Sequence, residues 1–131
     1  MSRLLLDTHV WLWALGSPTR LSGEARHAIR GADAVVLSVA SIWEVGVKHA
    51  LGKLPLTAGV RPLINEATRA LGAQLLPIAT EHVLAAAELP LHHRDPFDRV
   101  LVAQARCEGL TLVSADAAMR AYDVALLWAE P

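Results

Sequence analysis

Arg3-Leu4-Leu5-Leu6-Asp7 is a short, mainly apolar run that ends on a carboxylate, and the architecture of the chain turns on it. A run this brief cannot make a helix by itself and suits a buried β-strand. Asp7-Thr8 can cap a helix, and Val10 to Leu15 reads as that helix, stopped by Gly16-Ser17-Pro18. The same alternation continues. A second helix opens at Ser22-Gly23-Glu24 and runs through Ile29, and Ala34 to Leu37 reads as a second strand. Ser38 or Ser41 starts a helix through His49, closed by Gly52 and Pro55. Apolar Val60, Leu63, Ile64, Ala67 and Leu71 recur at helical spacing between Gly59 and Leu71, with Gly72 as the stop. Gln74 to Ile78 is a short strand interrupted at Pro77, and Thr80 to Glu88 is a helix. Pro96 to Glu108 is another helix, ended by Gly109, which leads into a strand over Leu110 to Val113. A short helix over Ala115 to Ala121 and a strand over Val124 to Trp128 complete the order. Strands separated by helices predict an α/β protein whose mainly parallel sheet is covered on both faces.

Composition narrows the classes. The 131 residues, 53% of them hydrophobic, fit one domain spanning residues 1–131 with an ample core, and this excludes disorder. Cys107 lies in an apolar, helix-like run and is expected to be a buried small hydrophobe in a reducing compartment. No apolar run approaches the roughly 18 residues that span a bilayer, and the amino terminus enters a strand without a signal-peptide pattern. The expectation is a cytoplasmic protein. A formal charge of −1 argues against binding nucleic acid by electrostatics alone. It is compatible with a metal nuclease, whose cations cancel several acids.

A parallel sheet gives the acidic residues their meaning, because ligands bind at the carboxyl ends of its strands. Asp7 and Asp116 both follow apolar strands, so the fold would bring them to one edge although they are far apart in sequence. Each could equally be a simple cap for the helix after it. Glu44 stands between Trp43 and Val45 in a mostly apolar helix, where a carboxylate needs a specific partner; Lys48, four residues on, can supply an ordinary helical ion pair. In Asp95-Pro96-Phe97-Asp98, Asp95 precedes a proline suited to the first helical turn, and Asp98 lies where the helix dipole favours a negative charge. Three residues apart, the two acids share a face and could also hold one cation. Asp98 is assigned to the metal, and Asp95 to a cap or a supporting role.

Gathered in one pocket, Asp7, Glu44, Asp98 and Asp116 would repel one another, and a divalent cation with hard oxygen ligands, Mg²⁺ or Mn²⁺, relieves that. Such a site suits phosphodiester hydrolysis, since the metal offsets repulsion of the phosphate, polarises a phosphoryl oxygen and activates water, whose proton a carboxylate can take. No histidine is required as base. His9, His49, His92 and His93 are left without a catalytic role, the His92-His93 pair reading as a solvated loop, while Arg94 and Arg99 could approach a phosphate.

With these residues in place the chain resembles the PIN-domain family, and most closely the VapC-type toxins of bacterial toxin–antitoxin pairs. The segments that carry the resemblance are Leu4-Leu5-Leu6-Asp7-Thr8-His9-Val10, Ser38-Val39-Ala40-Ser41-Ile42-Trp43-Glu44-Val45, His93-Arg94-Asp95-Pro96-Phe97-Asp98-Arg99 followed by Leu101-Val102-Ala103-Gln104-Ala105, and Leu112-Val113-Ser114-Ala115-Asp116. They occur in the family's order and span nearly the whole chain. The resemblance implies a three-layer α/β/α sandwich, with Asp7, Glu44, Asp98 and Asp116 holding Mg²⁺ or Mn²⁺ for RNA cleavage. Thr8 matches the polar residue after the first acid, and Ser114 the hydroxyl residue two before the last. It also implies a homodimer and a cognate VapB-like antitoxin whose carboxy-terminal segment covers the acidic site.

Other classes fit less well. A phosphoacceptor receiver domain would want adjacent acids after its first strand and a lysine near the end of its last, and a haloacid-type phosphatase would want Asp-x-Asp; here Thr8-His9 follows Asp7, and the last strand ends Leu127-Trp128-Ala129. A non-catalytic binding module, with acids that only cap helices, stays open. Trp11, Trp13 and Trp43 can each be core, but Trp11 and Trp13, two apart on one helix, cannot point the same way, so one is expected near the surface.

Overall fold

The computed structural model describes residues 2–131. Five strands, β1 (Arg3–Leu6), β2 (Ala34–Ser38), β3 (Gln74–Leu76), β4 (Thr111–Ser114) and β5 (Leu126–Trp128), form one sheet in the order β3-β2-β1-β4-β5, and every neighbouring pair is parallel. Six helices connect them: α1 (Thr8–Gly16), α2 (Gly23–Gly31), α3 (Val39–Ala50), α4 (Val60–Leu71), α5 (Thr80–Glu88) and α6 (Pro96–Glu108). The chain builds outward from β1 to β3 on one side, then crosses to β4 and β5 on the other. The order therefore reverses between β1 and β4, and a crevice opens at the carboxyl ends of those two strands.

The leucine run explains the three layers. Leu4 and Leu6 point into a core shared with Val10, Trp11, Ala25, Ile29, Val45 and Ala67 of α1 to α4, whereas Leu5 points through the sheet to Leu101, Val102 and Ala105 of α6. Alternate residues of a strand face opposite sides, so a strand buried on both must be apolar throughout. Helix α5 packs on α6. Caps punctuate the elements as the sequence predicts: Ser22 Oγ accepts from Ala25 N, and Ser38 Oγ from Ala40 N, so Ser38 rather than Ser41 starts α3. Gly72 and Gly109 end α4 and α6 with positive φ of 62° and 66°, which a side chain would strain.

Several boundaries shift for physical reasons. α1 begins at Thr8, not Val10, because Asp7 caps it directly. β3 stops at Leu76, since Pro77 offers no amide to a ladder, and the segment expected to be a last helix is a 3₁₀ turn over Ala117–Ala121, with Asp116 accepting from Ala118 N. The final strand starts at Leu126 rather than Val124. Cys107 corrects an expectation: it is exposed, because it lies in the last turn of α6 at the edge of a groove shared with Ala85, Glu88 and Leu89. Trp11 is fully buried and Trp13 partly so, as two residues apart on a helix require, but Trp43 is 63% exposed with its ring edge-on to Phe97.

Candidate active site

The crevice at the switch point holds Asp7, Glu44, Asp98 and Asp116 together, with His9, Trp13, Arg20, Lys48, His93, Asp95, Ala115 and Glu130 around them. Asp7 follows β1 and is fixed at both oxygens: Thr8 N donates to Oδ1 at 2.8 Å, and Ser114 Oγ donates to Oδ2 at 2.6 Å. Ser114 ends β4 and also accepts from Asp116 N at 3.0 Å, so one buried hydroxyl ties the two strand-end acids to each other. Thr8 turns the other way. Its hydroxyl donates to Glu44 Oε1 at 2.7 Å and lies 3.0 Å from Ser41 Oγ, which fixes a carboxylate that α3 carries into the pocket. The second oxygen of Glu44 is paired with Lys48, so the expected helical ion pair forms within the pocket itself.

Helix α6 brings the fourth acid. Asp95 caps it, Oδ1 accepting from Phe97 N at 2.9 Å and from Asp98 N at 3.3 Å, and this turns Asp98, nearly buried, toward the other acids. His93 then closes the group. Its Nε2 is 2.7 Å from Asp98 Oδ2 and 3.7 Å from Asp116 Oδ2, and one ligand atom from each of these three residues fits within 4.8 Å of the others.

The electrostatics follow from burial first and crowding second. Burial first, and the charge of Asp7 next, push the Asp98 carboxyl up to about 7. Burial likewise raises Asp7, against the hydrogen bonds from Ser114 and Thr8 that oppose it. Lys48 is raised by its hydrogen bond to Glu44, and His93 by its bond to Asp98. Asp7 and Asp98 thus resist ionising, and the carboxylates lining the pocket around them are a donor set a hard divalent cation fits.

Two residues expected to approach a phosphate stand elsewhere. Arg99 is spent on backbone: its guanidinium donates to the carbonyls of Ala86 at 2.8 Å, Leu89 at 2.9 Å, Pro90 at 2.9 Å and His93 at 3.4 Å. Arg94 is exposed beside Leu91, Pro96 and Val100, outside the lining of the acidic pocket. Conversely, sequence reasoning missed His93 and the rim of His9, Trp13, Arg20 and Glu130. Glu130 had a usable signal, since it stands two residues after β5 as Asp116 stands two after β4. His93 had none, because its approach to Asp98 depends on how a loop turns. Arg20 is held over the ring of Trp13 at 4.4 Å, a tertiary contact that spacing does not foretell.

A family description, PIN domain, matches residues 4–125, and the chain belongs to that family. Ribonuclease VapC22 of Mycobacterium tuberculosis is 28% identical to it over 123 residues, which cover 93% of either chain. Among solved structures, VapBC2 from Rickettsia felis bound to a promoter DNA fragment superposes with a TM-score of 0.71 at 11% identity, over 97% of this chain and 98% of that one. FitAcB from Neisseria gonorrhoeae gives a TM-score of 0.64 at 21% identity, over 95% and 96%. At such identities the structural likeness speaks for the fold: a five-stranded parallel sheet between helical layers.

The crowding predicts how stability depends on pH without metal. A carboxyl of ordinary value 3.8 that is raised to about 7 on folding binds more protons folded than unfolded across that interval. Its contribution is therefore full below the unfolded value and lost as pH rises through the folded one. His93, also raised, acts in the same direction. In chelator, thermal unfolding should occur at lower temperature at about pH 8 than at about pH 5.5. Asp98→Asn, which removes the titrating carboxyl, should stabilise the metal-free protein at the higher pH and flatten the slope, and an unchanged slope would count against a buried Asp98 carboxyl with a raised value.

Proposed function

We propose that this chain is the ribonuclease toxin of a toxin–antitoxin pair and that it hydrolyses RNA phosphodiester bonds with Mg²⁺ or Mn²⁺ held by Asp7, Glu44, Asp98 and Asp116. One observation carries the reading: at the switch point of a PIN-domain sheet, four carboxylates from β1, α3, α6 and β4 line one crevice, where burial and the neighbouring Asp7 raise the Asp98 carboxyl to about 7. Family membership and the ribonuclease relative support the same conclusion. The bound cation supplies charge neutralisation and Lewis acidity toward the phosphoryl oxygen. This chain's residues do the rest. Ser114 and Thr8 fix the direction in which Asp7 and Glu44 present their oxygens, Asp95 caps the first turn of the helix that carries Asp98, and an ionised carboxylate accepts the proton of the attacking water.

Structural neighbours that include a toxin–antitoxin complex from Klebsiella pneumoniae and a VapBC-family toxin–antitoxin protein from Mycobacterium tuberculosis support an antitoxin as partner. The pocket offers such a partner a strongly negative cavity, and Lys48 against Glu44 illustrates how a basic side chain is received there. Along α3, Val39, Trp43, Val47 and Leu51 leave an apolar row facing outward, a surface suited to cover by a partner. No helix among the described residues is long and apolar enough to cross a membrane. The reading places the chain in the cytoplasm, with its RNA, as a homodimer.

RNA cleavage should be abolished by EDTA and restored by Mg²⁺ or Mn²⁺, and cleavage undiminished in EDTA would overturn the metal mechanism. Asp98→Asn should remove cleavage with the fold intact. Asp95→Asn should lose less, because asparagine caps a helix nearly as well as aspartate; equal loss in both would mean that Asp95 is itself a ligand. Expression of the chain alone should arrest growth, and Asp7→Ala or Asp116→Ala should relieve the arrest while gel filtration still shows a soluble dimer. A soluble, dimeric and fully toxic variant would detach toxicity from this site.

A further inference from the structure

The four acids offer only oxygen, but the pocket also contains a nitrogen in bonding position. His93 Nε2 lies against Asp98 Oδ2 at 2.7 Å and faces Asp116 Oδ2 at 3.7 Å, and its ring is only 26% exposed. The ring is not carried by a loose loop. The carbonyl of His93 accepts from Arg99 Nη1 and from the Tyr122 hydroxyl, each at 3.4 Å, and the same guanidinium holds the carbonyls of Leu89 and Pro90 just upstream. Arg99 is thereby a positioning residue: it fixes the backbone from which the imidazole reaches the acids.

Resting on the metal site proposed above, we infer that His93 is a metal ligand, and that with Asp98 and Asp116 it makes a mixed nitrogen and oxygen subsite that selects Mn²⁺ over Mg²⁺. Mg²⁺ is a hard ion that prefers oxygen and sheds water reluctantly, whereas imidazole suits transition metals. One nitrogen donor among carboxylates therefore tilts selection toward Mn²⁺ without excluding Mg²⁺ from the oxygens. His9, the other imidazole on the pocket wall, is absent from the group whose ligand atoms come within 4.8 Å of one another; Asp7 and Glu44 also lie outside that tight group, their oxygens held by Ser114, Thr8 and Lys48, whereas no acid or hydroxyl among the described residues holds the ring of His9 toward it.

The test is Mn²⁺ bound to the full chain, read by electron spin echo modulation for coupling to ¹⁴N, together with calorimetric titration of Mn²⁺ and of Mg²⁺. The wild type should show the nitrogen coupling and bind Mn²⁺ more tightly than Mg²⁺. His93→Gln, which keeps a polar group of similar reach, should lose the coupling and about tenfold in Mn²⁺ affinity while Mg²⁺ affinity changes little. His9→Gln should keep the coupling. In unmutated protein, ¹⁵N-labelled histidine should replace the ¹⁴N signal, so the assignment to histidine does not depend on a variant folding. Mn²⁺ bound without nitrogen coupling, coupling that survives His93→Gln, or an equal fall for both ions would overturn the inference and leave the carboxylate site standing. No binding of either ion to the wild type would overturn both.

Discussion

The burial of carboxylates beside one another at the carboxyl ends of the sheet is the constraint around which this protein is organised. Asp7 is only 5% exposed, at the end of the central strand, where an ionised group is costly unless its oxygens are satisfied. Ser114 and the Thr8 amide meet that demand, and each belongs to an element that also carries or fixes another acid. The local cost is thus distributed over β1, β4 and the start of α1 rather than relieved at one residue. Thr8 extends the chain of dependence to α3 through Glu44, so displacement of any one acid disturbs the hydrogen bonds of the next.

Such a cluster opposes folding, and the core must outweigh it. Leu4, Leu5 and Leu6 are each nearly or wholly buried, on alternating faces, and so are Leu112 and Val113 of β4, which means that the two strands ending in acids are packed on both sides. Continuous apolar burial thus stands directly behind the acids. Placed on an edge strand, the same acids would have more water and a less rigid frame, and their geometry would be looser.

How much of this could be read beforehand depended on whether the signal was local. Alternation of apolar runs and capped helices is local, and it predicts the parallel sheet, the element order, and α5 and α6 to the residue. The rule for strand ends then brings Asp7 and Asp116 to one edge, and the helical positions of Glu44 and Asp98 are compatible with joining them there. Contacts made by irregular backbone were not legible. His93 reaches Asp98 across a loop with no periodicity, and Arg99, which charge alone marks as a phosphate binder, is consumed by carbonyls at the end of α5 and in the loop after it. Cys107 was misjudged for a related reason: composition described an apolar run, but not that the last turn of α6 reaches beyond its packed neighbours.

The segment His93-Arg94-Asp95-Pro96-Phe97-Asp98-Arg99 shows how densely a short stretch can be committed. Asp95 caps the helix and Pro96 occupies the first turn, where the missing amide has no partner to lose. Phe97 lies edge-on to Trp43 of α3, the helix that carries Glu44, at a ring separation of 5.4 Å, so the elements bearing two of the acids are in register through an aromatic contact. Asp98 enters the pocket one residue later. Arg99 turns back to hold the carbonyl of His93, which returns its ring to Asp98. The loop is closed on itself: the helix that presents the acid also fixes the imidazole beside it, and the spacing between them follows from covalent structure and a few hydrogen bonds. Selection acting on any of these residues for stability would therefore act on the site as well, and a substitution outside the pocket, at Arg99 above all, would be felt inside it through the position of His93 rather than through any charge of its own.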